Sequence, residues 1–128
     1  MKITDEINRM RAVRERKVHA CRAESSIMVP AKVDLGEIAP LYDLFKCNAN
    51  PEYKDNTKIF ILLVYFMYSP VSLLEKGIRS KGVRRELARI LGMSQNQVTM
   101  YFCEAKSLLF THGGFRKETE RLFDILHG

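Results

Sequence analysis

At 128 residues, with 46% hydrophobic and 28% charged residues, the chain has the composition of one globular domain, or of a compact domain carrying an arm. The net charge of +6 and the pI near 9.4 favour an acidic partner, nucleic acid ahead of an anionic membrane surface. Three scattered cysteines, Cys21, Cys47 and Cys103, exclude a zinc finger and, being odd in number, a disulfide framework. Reduced thiols, buried or incidental, in a cytoplasmic protein are expected instead.

Taken in order, residues 3 to 24 read as a basic helix, with Thr4 as N-cap and Asp5 and Glu6 in the first turn, where the helix dipole favours them. Its apolar face, Ile7, Met10, Val13, Val18 and Cys21, is thin, so a solvated arm (residues 1–27), a dimer contact or a contact along DNA are all open to it. No signal peptide is expected, because no apolar segment follows the charged start. Residues 28–54 read as a linker with a short helix from about Gly36 to Phe45, Pro40 standing in its first turn. The stretch Asn48 to Asn56, NANPEYKDN, is a loop.

A C-terminal domain is placed at residues 55–128. Asp55 or Asn56 can cap a helix from Thr57 to Tyr68 that is apolar on nearly every side and belongs at the centre of a core. Its apolar run from Ile59 to Tyr68, stopped by Ser69-Pro70, is half the length of a bilayer span, so no membrane partner is expected. Ser69 and Pro70 open a further helix to about Lys76, and Gly77 and Gly82 bracket a basic connector.

The most informative stretch is Arg84 to Cys103, RRELARILGMSQNQVTMYFC, which holds two helical patterns around a turn of three residues. A helix-turn-helix requires a small residue where its helices cross, a residue free to take positive φ at the turn, and a branched apolar residue in its second helix. Ala88, Gly92 and Val98 stand at those offsets. Leu87, Leu91, Met93 and Tyr101 fall on the inward side and Arg84, Arg85 and Arg89 on the outer. Ser94 and Gln97 form a Ser-x-x-Gln capping box. The second helix is expected from Gln95 to about Phe110, a break over Thr111 to Gly114, and a last helix from Phe115 to Leu126.

This segment resembles the tetrahelical helix-turn-helix of sigma factor region four and of LuxR-type response regulators. The longer run from Lys58 to Phe110 resembles small uncharacterised proteins of phages and mobile elements of Bacteroides-like bacteria. The resemblance implies an all-α fold with a tetrahelical helix-turn-helix C-terminal domain; together with the N-terminal basic helical arm read above, it suits a role in transcription regulation.

Binding to double-stranded DNA would place the second helix in the major groove. Gln95, Asn96, Gln97, Thr99 and Met100 are then the base-contacting residues, the amides against adenine and the others against thymine methyls. Arg79, Lys81, Arg84, Arg85 and Arg89 are the phosphate-contacting residues. From Lys76 to Arg89 six basic residues face Glu86 alone. The outer face of the second helix carries Glu104 and has no Arg or Lys before Lys106, so A·T-containing sites, or weak specificity, are expected.

A homodimer is required if the site is palindromic, and a protein-interaction adaptor is the alternative function. No cofactor, metal or catalytic residue is expected: His19, His112 and His127 lie apart from any catalytic set, and Gly77, Gly82 and Gly92 follow no apolar strand.

Overall fold

The computed structural model describes Ile3, Asp5, Ile7, Asn8, residues 34–69, Leu73 and residues 81–127, the side chains of Lys81 and His127 excepted. Apart from Leu73, the expected helix and connector between Ser69-Pro70 and Ser80 lie outside these residues, as do most of the arm and Cys21. The fold is all-α. A 3-10 turn, Leu35–Glu37, precedes helices α1 (Ile38–Asn48), α2 (Asn56–Tyr68), α3 (Lys81–Leu91), α4 (Gln95–Thr111) and α5 (Gly113–His127). Among the described residues no helix is long and apolar enough to cross a membrane.

Helix α2 has no polar stripe to offer water, and the rest of the chain is arranged around it. Residues Ile59 to Tyr65, Met67 and Tyr68 are all buried. Helix α4 lies against α2, α3 and α5, while α1 packs on α2, α3 and α5. Phe60 sits between two aromatic rings of α1, Tyr42 at 4.8 Å and Phe45 at 5.1 Å between centroids. Tyr65 stacks on Phe102 of α4 at 4.2 Å, and Phe66 meets Phe123 of α5 edge-on at 5.2 Å.

The segment read as a linker with a short helix supplies Ile38, Leu41 and Phe45 to this same core. So does the start of the arm: Ile3 and Ile7, one helical turn apart, are 0% and 1% exposed, and the face expected to be thin is buried there.

Several boundaries differ from the expected ones, each for a physical reason. Helix α1 continues to Asn48 because its last carbonyls find donors: Asn48 Nδ2 donates to the Leu44 carbonyl at 2.8 Å, and Arg121 Nη2, from α5, donates to that of Asn48 at 3.0 Å. Asp55 precedes α2 without capping it through its side chain; its carboxylate pairs with Lys58 at 3.5 Å. Gly82 lies inside α3, not in a connector, and a Cβ there would stand 3.0 Å from Leu35 Cδ1, so glycine admits the 3-10 turn against α3. The break before α5 is His112 alone. Its extended backbone still donates to the Leu108 carbonyl at 2.9 Å and accepts from the Arg116 amide at 3.0 Å, so one residue turns the chain and the two glycines join α5.

Among the described residues, burial leaves one hydroxyl without a partner. Tyr65 is fully buried and its Oη meets no hydrogen-bonding group. Burial pushes its pKa well above the ordinary value, the Arg84 charge drawing it partly back. Tyr68, whose hydroxyl donates to the Asp34 carbonyl at 2.9 Å, is pushed up to about 12 by burial and by the nearby carboxylates of Glu37 and Asp34.

Two outcomes are expected in denaturant titrations. Tyr65→Phe removes an unsatisfied group without opening a cavity, so stability stays level or rises by up to about 1 kcal/mol. As pH rises from 10 to about 12 the unfolded chain loses the Tyr68 proton while the folded chain keeps it. Stability therefore falls over that window, and less steeply in Tyr68→Phe.

Candidate nucleic-acid interface

Helix α3 turns Val83 and Leu87 fully inward, with Ala88 and Leu91 half-buried beside them. Gly92 follows at φ 66°, and the Met93 amide donates back to the Ala88 carbonyl at 3.1 Å. This is a Schellman termination, in which the left-handed residue lets the chain leave the helix while an end carbonyl stays bonded. Met93 and Ala88 also pack against the core on either side of that bond.

Ser94 then opens α4 in an extended conformation. Its Oγ accepts from the Gln97 amide at 3.1 Å, and Gln97 Oε1 accepts from the Ser94 amide at 3.1 Å, completing the expected capping box. Val98, Phe102, Ala105 and Leu109 fasten α4 to the core; Tyr101 and Leu108 are half-buried. The opposite side of its first two turns faces outward.

The base-contacting residues expected from sequence do fall together on that outward side. Gln95, Asn96, Gln97 and Met100 are exposed, Met100 by 52%, and Thr99 is half-buried. Three of them already have work within the chain. Gln97 serves the capping box. Gln95 Oε1 accepts from Arg84 Nε at 3.2 Å, and Thr99 Oγ1 accepts from Arg84 Nη1 at 3.5 Å while donating to the Gln95 carbonyl at 3.1 Å.

The expected phosphate-contacting residues divide. Arg79 lies outside the described residues, as does the Lys81 side chain; the Lys81 backbone begins α3. Arg84 is half-buried and points across to α4, which differs from the outer position read from the pattern. Arg85 is exposed. Arg89 is also exposed and pairs with Glu86 one turn earlier, a bond that holds the Glu86 carboxyl below its usual range and raises the guanidinium of Arg89. Glu104, counted from sequence against a DNA-facing surface, pairs with Lys58 of α2 at 3.4 Å, and Lys106 lies over the Phe102 ring at 4.8 Å. Cys47 and Cys103 are exposed free thiols, not buried ones.

Sequence reading missed the bridging role of Arg84. The signal was available: an arginine facing the start of the next helix, with a Gln and a Thr one turn apart there, has the reach to join them. It also missed a cavity of about 210 Å³ between α1 and the start of α2, lined by Tyr42, Phe45, Lys46, Ala49, Pro51, Asn56 and Thr57. The buried Asn56 Oδ1 has no hydrogen-bond partner. Among the described residues no cluster of His, Cys, Asp or Glu could hold a metal ion.

No protein-family model matches the chain, and no curated protein or solved structure matches it either.

Two substitutions test the turn. Gly92→Ala meets no atom within 4 Å, so its cost is conformational, about 1–2 kcal/mol, and Gly92→Asn costs less. Ser94→Ala costs about 1 kcal/mol and Ser94→Asp restores most of it. Urea unfolding monitored by circular dichroism checks both.

Proposed function

We propose that the chain binds double-stranded DNA as a tetrahelical helix-turn-helix protein, with the N-terminal half of α4 in the major groove, and that it acts in transcription regulation in the cytoplasm. The observation that carries this reading is the unit from α3 to α4. Two helices meet through a three-residue turn with Gly92 at φ 66°, and the second begins with exposed Gln95, Asn96, Gln97 and Met100. Arg85 supplies an exposed positive charge on the preceding helix, Arg89 a second one shared with Glu86, and the whole chain is basic by +6.

In this arrangement α4 is held rigidly by Val98 and Phe102, so its polar side chains project from a fixed support. Affinity comes from Arg85 and Arg89 at phosphates, and selectivity from α4. A second reading, a protein-interaction adaptor using the same fold, is favoured by Met100, a large apolar side chain 52% exposed in the middle of that face.

Fluorescence anisotropy of a labelled random-sequence duplex of about three helical turns, titrated at low and moderate salt, tests the DNA reading. Binding that weakens steeply with salt is expected. Replacing Arg85 and Arg89 together by Ala should weaken all duplexes alike and make the salt slope shallower by about one per phosphate no longer neutralised. Absence of binding at low salt sinks the DNA reading. The adaptor reading instead requires a partner whose capture survives the arginine changes and is abolished by Met100→Asp.

A further inference from the structure

Resting on the DNA-binding reading, we infer that Glu86 attenuates phosphate binding by α3: it neutralises Arg89 in place of a DNA phosphate and so holds the affinity for every duplex down. The observation is an asymmetry between two arginines on one face of the helix. Arg85 and Arg89, four residues apart, are both exposed. Arg89 Nε donates to Glu86 Oε1 at 2.5 Å, whereas Arg85 makes no ion pair with any described residue.

The spacing along α3 causes this difference. Side chains three and four positions apart are neighbours on a helix. For Glu86 those neighbours are Gly82, Val83, Arg89 and Ile90, so Arg89 is the one cation within its reach along the helix. For Arg85 they are Lys81, Gly82, Ala88 and Arg89, two cations and no carboxylate. A phosphate therefore finds Arg85 unopposed and Arg89 already matched.

The side chain of Glu86 is 19% exposed and that of Arg89 66%, so the carboxylate has little room to leave and the arginine much. With Nε engaged, the guanidinium still has N–H groups to offer a phosphate. The competition is thus one of charge and not of donors. A phosphate at Arg89 meets a pair of net charge zero and feels the repulsion of the carboxylate, and neutralising it releases no full counterion. The bond to Arg89 also keeps the Glu86 carboxyl ionised at neutral pH.

The test is anisotropy of one labelled random-sequence duplex with the full-length chain over a series of salt concentrations. The proteins compared are the wild type, Arg85→Ala, Arg89→Ala, Glu86→Gln and the double variant Glu86→Gln/Arg89→Ala. Glutamine matches glutamate in shape and helix propensity, so the fold persists. Glu86→Gln should tighten binding about fivefold at low salt, the upper range for release of an exposed ion pair. It should also steepen the plot of log affinity against log salt by about 0.9, one phosphate more. Arg85→Ala should weaken the wild type more than Arg89→Ala does, and the gain from Glu86→Gln should vanish once Arg89 is replaced. Glu118→Gln makes the same change of charge and opens the equivalent pair with Arg121 on α5, outside the α3–α4 unit, and should tighten binding less.

Unchanged or weaker binding by Glu86→Gln, a gain that survives loss of Arg89, or an equal gain from Glu118→Gln overturns the attenuation and leaves DNA binding standing. Failure of both the wild type and Glu86→Gln to bind any duplex at low salt overturns both.

Discussion

A helix with no wet side is the constraint on which the structure depends. Nine of the 13 residues of α2 are buried, and an element of that kind is stable only when other elements enclose it. Each large apolar side chain removed from water there is worth about 1.5–3 kcal/mol, an upper figure because the unfolded chain already hides part of that surface. Exposed ion pairs, such as Lys46 with Asp43, contribute about 0–1 kcal/mol. Enclosing α2 therefore decides where α1, α4 and α5 lie, and surface charges refine an arrangement that burial has set.

The polar bonds at helix ends do a different job: they set where each helix stops and how its neighbours register against it. Arg121 reaching from α5 to the last carbonyl of α1 ties two elements distant in sequence, and Tyr68 does the same between the end of α2 and Asp34. Lys58 sits between Asp55 and Glu104, 5.8 Å from the Tyr101 ring centre, and so joins the start of α2 to the middle of α4. These bonds add little to total stability, but carbonyls and carboxylates that would otherwise need water receive donors from the fold itself.

What was legible in the sequence follows from the range of the forces involved. The all-α class, the buried character of α2, the turn at Gly92 and the capping box are local. Period, glycine conformation and a Ser-x-x-Gln spacing act within a few residues, so they can be read from a few residues. The extension of α1 to Asn48 and the one-residue break at His112 depend on partners beyond the local pattern or on two helices ending in register, and no short-range pattern carries them. Ile3 and Ile7 belong with these, since two isoleucines one turn apart in a basic stretch look like a weak face until a core is present to receive them.

The candidate interface divides along the same line. Which residues face outward on α4 was legible from its periodicity, because the buried set Val98, Phe102, Ala105 and Leu109 leaves one side free. Which of those side chains already have partners within the protein was not, since a period does not say what an amide bonds to. Arg84 supplies one such partner from another helix, and the capping box supplies the other from within α4. A bond whose first effect is to terminate or brace a helix thus also orients a side chain on the surface beside it. For a helix that presents its first turn to a ligand, capping and recognition draw on the same atoms and have to be read together.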